Sequence, residues 1–391
     1  MEFDRAIQEI QSLCIPRGDF RNVFISDALG FAMAQPIVAS EPNPRFDNSE
    51  VDGYAICRAE DSWEGTRLSL LGSVAAGQAS PVPIEPGTTA RILTGAPVPS
   101  NTFGIAMQED VRIEDGQATL IETIHAGAHI RRQGADFGAG EQLASVGTVI
   151  DPSVVALLAF VGLAQPLVFS KPLVAVITTG DELVDIHDIP SESQIRDTNS
   201  VMLAAQVMDA VGVTPTSLRV SDDKSALLSL VRDAANVSDV VILSGGASVG
   251  DRDYVGDVVS ELGTVIFHGV SVRPGKPVLF GQIGECLVFG LPGNPSSAFV
   301  CFELFVKSAL RLLAGWGRSE LLWQSAVSEF DHQAMGREDF VRVKRTVSGI
   351  SVAGVQGSFG IWSLAQADGL ARFPANRDVS KGSSCSVHWL R

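Results

Sequence analysis

Between about Lys171 and Gly317 short apolar runs alternate with helical patterns, and that alternation constrains the fold more than any other feature. Leu173–Thr178, Thr214–Val220 and Asp239–Leu243 read as strands, while Ser200–Val211, Asp222–Ala235 and Ser296–Leu313 read as helices. Asp239–Leu243 is a run of Val, Ile and Leu with charges beside it, as a strand covered on both faces requires. Strand–helix–strand spacing of this kind implies right-handed crossovers and a mostly parallel sheet. Ligands of open α/β sheets bind outside the carboxyl ends of the strands, so the loops after these runs are the first place to look for chemistry.

Four such loops carry unusual residues. Ser244-Gly245-Gly246-Ala247-Ser248-Val249-Gly250 follows the strand at 239–243, and Asp251, Arg252 and Asp253 come next. Glycines there let backbone N–H groups converge on an anion, and a following helix N-terminus adds its dipole. A plain tight turn needs fewer glycines and no serines. Thr178-Thr179-Gly180-Asp181-Glu182-Leu183 occupies the same position after another strand, so the two loops should converge. Its carboxylates suit Mg²⁺ or proton steering, and the bland alternative is that Asp181 caps a helix. Arg273-Pro274-Gly275-Lys276-Pro277 sets two cations beside paired prolines before a strand at Val278–Gly281, a phosphate-binding candidate. Gly290-Leu291-Pro292-Gly293-Asn294-Pro295-Ser296 opens the last long helix, with Asn294 as a candidate cap and Pro295 at its first position.

The flanks read differently. Residues 4–13 carry Ile7, Ile10 and Leu13 at helical spacing, and Pro152–Leu163 resembles a second helix. From about Glu41 to Asp136 short β segments are separated by Gly, Pro and Asp, with a hairpin turn expected at Asp115-Gly116. From about Glu320 to Arg391 short β runs return and suggest a small barrel or sandwich. The expected fold is multidomain α/β plus β. The expected domains are 1–40 with 137–170 as a split linker domain, 41–136 as a β-rich insertion, 171–318 as the α/β domain and 319–391 as a C-terminal β-barrel.

Three further segments look unlike scaffold. Arg45–Ala55 packs Asp47, Glu50 and Asp52 with Asn48 around Gly53-Tyr54, and Leu93–Pro99 is a turn with the free hydroxyl of Thr94. Ile130-Arg131-Arg132-Gln133-Gly134-Ala135-Asp136 adds two cations. Carboxylates with a hydroxyl can bind a cation or hydrogen-bond an oxyanion, and an Asx-rich loop can equally cap its own backbone.

Composition removes several classes. A net charge of −16 over 391 residues argues against nucleic acid held by a general positive field. Apolar stretches such as Val154–Leu163 fall short of the roughly 18 residues a bilayer span needs. Cys14, Cys57, Cys286, Cys301 and Cys385 lie far apart, which argues against zinc and a disulfide framework. With an acidic start at Met1–Asp4, a cytoplasmic protein without membrane or nucleic-acid partners is expected.

Taken in order along the whole chain, these segments resemble the molybdopterin molybdenumtransferase family, which includes bacterial MoeA and the gephyrin E domain. The resemblance runs through Phe46-Asp47-Asn48-Ser49, Asp52-Gly53-Tyr54-Ala55, Thr94-Gly95-Ala96-Pro97, Arg131-Arg132-Gln133-Gly134, Thr179-Gly180-Asp181-Glu182-Leu183, Asp197-Thr198-Asn199, Ser244-Gly245-Gly246, Pro274-Gly275-Lys276-Pro277 and Leu291-Pro292-Gly293-Asn294-Pro295. It implies a three-layer α/β domain, a split linker domain, a β insertion and a C-terminal barrel, assembled as an elongated homodimer. It also implies a Mg²⁺-dependent reaction in which molybdate replaces AMP on adenylylated molybdopterin, alongside other molybdenum-cofactor biosynthesis proteins. By the same resemblance Asp52, Thr94, Asp136, Glu182, Asp222 and Asp253 form the catalytic acidic and hydroxyl set, with Glu182 and Asp253 as metal ligands. Arg131, Thr179, Gly180, Asp181, Asp197, Ser244, Gly245, Gly246, Ser248, Arg273, Lys276, Pro292 and Pro295 are the implied substrate contacts.

Three positions depart from the family pattern. Ala135 stands where Glu is frequent, Arg273 where Lys is frequent, and Gly269 where some members carry Lys; Arg196 or His268 are candidate substitutes for that last cation. Two other readings compete. A molybdopterin adenylyltransferase should carry Thr-Gly after Ser-Gly-Gly, where this chain has Ala247-Ser248. A non-catalytic scaffold would tolerate loss of Asp52, Thr94, Glu182 and Asp253, all of which are present.

Overall fold

The structure is a computed structural model that describes residues 1–16, 18–77, 83–246, 254–318 and 321–390. The chain forms two compact units: Met1–Gln35, Val146–Ala159 and Leu163–Arg391 make one, and Pro36–Ser145 with Phe160–Gly162 the other. The architecture is multidomain α/β plus β, as the sequence implied.

Helices of the chain are α1 (Phe3–Leu13), α2 (Pro152–Phe160), α3 (Thr198–Val211), α4 (Lys224–Val237), α5 (Val255–Leu262), α6 (Pro295–Cys301), α7 (Lys307–Leu313) and α8 (Ile361–Gln366). In the first unit a six-stranded sheet runs, in spatial order, Thr216–Val220, Val174–Thr179, Val240–Ser244, Cys286–Leu291, Leu279–Ile283, Thr264–His268. The first three pairings are parallel and the last two antiparallel. The parallel expectation therefore holds for the strands whose ends carry the Thr179 and Ser244 loops. The antiparallel pair has a local cause: only Gly284 and Glu285 separate Ile283 from Cys286, too short for a crossover, and Gly284 turns the chain at φ +59°.

The strands Val174–Thr179, Val240–Ser244 and Cys286–Leu291 are buried along their whole length. Alternate side chains explain this, because they point to opposite faces. Val174, Val176, Ile242 and Phe289 pack with Phe3, Leu203, Val207 and Phe305 on one face. Ala175, Ile177, Val241 and Leu243 pack with Leu227, Val231, Val255 and Val258 on the other. The first-turn residue Phe3 of α1 meets Phe305 and Phe340 with ring centroids 5.6 and 4.9 Å apart, so the N-terminal helix closes the α/β core.

The helix expected over 296–313 forms, but not as one regular α-helix. A π-helical turn, Phe302–Val306, joins α6 to α7 and places Glu303 and Lys307 in the interior. α3 begins where Asp197 accepts a hydrogen bond from the Ser200 N–H (3.0 Å) and ends at Gly212 with φ +66°. A second sheet of this unit orders Val272–Arg273, Glu338–Arg345, Gly369–Phe373, Ser384–Trp389 and Trp323–Val327, with Ile350–Val352 on the Glu338–Arg345 strand.

The second unit is built on a six-stranded sheet ordered Gly104–Met107, Gly53–Ile56, Thr88–Ile92, Arg67–Val74, Gln117–Leu120, Val111–Glu114. The hairpin expected at Asp115-Gly116 is present, with φ +49° and +77° at the two turn residues, the pairing that Asp-Gly supplies.

Candidate active site

At the carboxyl ends of the parallel strands lies a cavity of about 810 Å³ lined by Thr178, Thr179, Gly180, Glu182, Asp197, Asn199, Asp222, Ser244, Gly245, Gly246, Gly293 and Pro295, among others. The two loops that sequence spacing brought to adjacent strand ends do converge here. Ile177 pairs with Leu243 and Thr178 with Ser244, so the Thr179 and Gly245 turns leave the sheet side by side. Gly245 has φ +98°, and a Cβ there would overlap the Thr179 carbonyl, so only glycine fits this close approach.

Buried polar groups around the cavity are wired to each other. The Thr178 hydroxyl donates to Asp197 Oδ2 and the Thr179 hydroxyl to Asp222 Oδ1, both at 2.6 Å. Asn199 Nδ2 donates to Ser244 Oγ (2.8 Å) and to the Gly293 carbonyl (2.7 Å), tying the start of α3 to two strand-end loops. Ser244 Oγ in turn donates to the Pro292 carbonyl (3.3 Å), and the Asp222 N–H to Asp181 Oδ1 (3.2 Å). Such a network fixes side chains before any ligand arrives. A cavity with backbone turns, hydroxyls and carboxylates at this place is the ligand-site type of open α/β proteins.

Two capping expectations change. No helix follows Asp181: Leu183–Val184 pairs with Ile195–Arg196, and the helix after this loop is capped by Asp197. Asn294 precedes α6 without a side-chain cap, and its amide donates to Ser358 Oγ (3.1 Å). Pro295 does occupy the first helical position. Both loops are thereby freed from a purely helix-starting role.

The remaining residues of the sequence reading fall in several places. Ser248 and Asp253 lie outside the described residues. Arg273 and Lys276 do not line this cavity. Arg273 instead ends the strand Val272–Arg273 that pairs with Glu338–Asp339. Burial raises the Asp339 carboxyl above the usual range, and the Arg273 charge opposes that rise. Gly275, at φ +104°, packs where a Cβ would meet Cys301 Sγ.

Five lining residues were not named from sequence: Pro190, Gln194, Ile195, Phe359 and Ile361. Arg196, one of the two candidates to replace the cation missing at Gly269, also lines the cavity; its Nε donates to the Ile186 carbonyl (3.1 Å). Phe359 and Ile361 arrive from more than a hundred residues downstream, and no local pattern marks them.

In the second unit, Asp52 Oδ1 accepts from both the N–H and the hydroxyl of Thr94 at 2.7 Å. These bonds hold the Asp52 carboxyl below the usual carboxylate range. Strand Asn48–Ser49 laces the neighbouring motifs together. Ile130–Arg131 pairs with it on one side, and the Gly95 N–H donates to the Ser49 carbonyl (2.8 Å) on the other. Arg132 Nη1 and the Gln133 N–H hold Asp47 (2.6 and 2.7 Å), and these hydrogen bonds depress its pKa. Asp136 Oδ2 accepts from Asn43 Nδ2 (2.8 Å), and Arg131 Nε lies 3.9 Å from Glu50.

Comparison with known proteins agrees with this arrangement. The MoeA N-terminal region (domain I and II) matches residues 1–162, a probable molybdopterin binding domain matches 175–312, and the MoeA C-terminal region (domain IV) matches 331–390. A molybdopterin molybdenumtransferase of Nostoc sp. is 34% identical, with 92% of this chain and 86% of the relative covered. Molybdopterin molybdenumtransferase 2 of Mycobacterium tuberculosis is 32% identical over 99% of this chain and 98% of the relative. The crystal structure of the molybdopterin biosynthesis MoeA protein from Pyrococcus horikoshii OT3 superposes with a TM-score of 0.87 at 27% identity, covering 100% of this chain and 99% of that one. The chain belongs to the molybdopterin molybdenumtransferase (MoeA) family, a family of transferases.

Proposed function

We propose that this protein inserts molybdate into adenylylated molybdopterin with release of AMP. The observation that carries the reading is the strand-end cavity, where glycine turns, three buried hydroxyls, Arg196 and the carboxylates of Glu182, Asp197 and Asp222 share one wall. The Gly245-Gly246 turn lets backbone approach a phosphate closely, and Arg196 supplies the fixed positive charge. Thr179, held by Asp222, and Ser244, held by Asn199, present oriented hydroxyls to an oxyanion. Among the described residues Glu182 carries no such partner network, which makes it the carboxylate best placed to act on the reacting phosphoanhydride. Asp52 and Thr94 belong to the same functional set, acting as a paired carboxylate and hydroxyl.

The donor set fits Mg²⁺. Among the described residues no three acidic, His or Cys side chains form a metal cage. Mg²⁺ commonly takes only one or two carboxylates and completes its shell with water and substrate phosphate. Glu182 and Asp222 offer such oxygens on the cavity wall, and Asp253 is the further candidate. Bound there, Mg²⁺ would offset the negative charge of the phosphoanhydride. A homodimer, and a four-part division of each chain with a closed C-terminal barrel, complete the proposed assembly.

The test is AMP release from adenylylated molybdopterin with Mg²⁺, with and without molybdate. Release that requires molybdate is expected. Tight binding of the nucleotide-pterin without release would leave a binding or scaffold protein instead.

A further inference from the structure

A second cavity, of about 940 Å³, lies at the opposite ends of the helices that border the first. The first turn of α3 lines the strand-end cavity and Asp209, in its last turn, lines this one. At 1.5 Å rise per residue the two are separated by about 17 Å along the helix. Its wall includes Asp209, Lys307, Arg311, Arg318, His388 and Trp389. Three cations on one small cavity are notable in a chain of net charge −16.

Their partners are unequal. Lys307 Nζ donates to Glu303 Oε2 (2.9 Å) and Asp209 Oδ2 (3.2 Å), which leaves one of its three protons. The Arg311 guanidinium lies over the Trp316 ring, 4.9 Å from its centroid. Its Nε is buried and has no hydrogen-bond partner among the described residues. Burial works against the Arg311 charge, and Glu303 and Asp209 only partly offset it. A half-buried guanidinium with open donors on a cavity wall is unfavourable unless an anion reaches it. His388 sits beside them with Nδ1 3.2 Å from the Leu322 carbonyl; a neutral ring that donates there leaves Nε2 an acceptor, so the anion site rests on the three cations.

We propose that this cavity binds a small multivalent oxyanion, with Arg311 and Arg318 presenting guanidinium forks and Lys307 a third cation. The fork geometry matches phosphate and carboxylate alike, and the volume is that of a small-molecule site. Calorimetric titration with pyrophosphate and with citrate, each at constant ionic strength, tests it. Saturable binding of at least one is expected, and the better binder tells phosphate from polycarboxylate. Removing one guanidinium by Arg311→Gln or Arg318→Ala should weaken that binding about tenfold or more. Arg318 is exposed, so its variant folds independently of the Arg311–Trp316 contact. Arg196→Gln, altering the strand-end cavity, should leave this binding in place. No saturable binding of either anion, or binding lost in Arg196→Gln and unchanged in both other variants, would overturn the assignment.

Discussion

Glu182 is the residue on which the proposed chemistry turns. Its neighbours Thr179, Asp197 and Asp222 are committed to hydrogen bonds, whereas its carboxylate faces the cavity beside Gly180. Glu182→Gln preserves shape and removes the charge, so the variant should melt like the parent but lose at least about a hundredfold in AMP release. A variant that keeps full turnover would remove Glu182 from the mechanism. Gly245→Ala tests shape instead of charge. Its φ of +98° and the Thr179 carbonyl leave no room for a methyl, so a stability loss of about 1–3 kcal/mol is expected in thermal melts. Much of this was legible in sequence, because a glycine pair after an apolar strand has few other uses. Arg273 and Lys276 show the limit. Cations beside paired prolines suggested phosphate; that Arg273 also pairs into the second sheet is something no local pattern reports.

At the scale of elements, α3 is joined to the π turn and α7 through Gln206 and Asp209, which bond to the interior Glu303–Lys307 ion pair. The Lys307 and Glu303 side chains are 9% and 4% exposed, and Gln206 Nε2 donates to Glu303 Oε1 (2.9 Å). Lys307→Met would strand a buried carboxylate and should cost about 3–5 kcal/mol in denaturant unfolding. Adding Glu303→Leu should restore most of that loss; an equally unstable double variant would assign the effect to packing. The second sheet makes a pH prediction. Burial lowers the pKa of both His332 and His388 below the ordinary 6.5. The unfolded chain then binds protons more readily, so their contribution is full above about pH 6.5 and is lost as pH falls through the folded values. Asp339 acts with opposite sign, since burial raises its pKa and protonation favours the folded state. Histidine NMR titrations below 6.5, with a melting temperature that drops from about pH 7.5 to about pH 5.5, would agree. Titration of both imidazoles at or above 6.5 would contradict it. The helix over 296–313 was readable from its apolar stripe, but its π turn was not, because the insertion depends on seating Glu303 against α3.

For the whole molecule, order along the chain spoke more clearly than any single motif. Alternating strands and helices indicated the parallel sheet, and the matching of three successive MoeA regions agrees with a family reading made from loops alone. Asp52 and Thr94 lie in the second unit, while Glu182 and Ser244 lie in the first. Sequence named both sets but carried no signal for Phe359 and Ile361 on the cavity wall, since residues so distant in the chain are brought there only by the fold. The most direct test of the central claim is activation of an apo molybdoenzyme by the pterin product. Protein, adenylylated molybdopterin, Mg²⁺ and molybdate should together yield a product that activates the apoenzyme, and the Glu182→Gln protein should not. A wild-type product that fails to activate it, despite intact substrate, would contradict molybdate insertion.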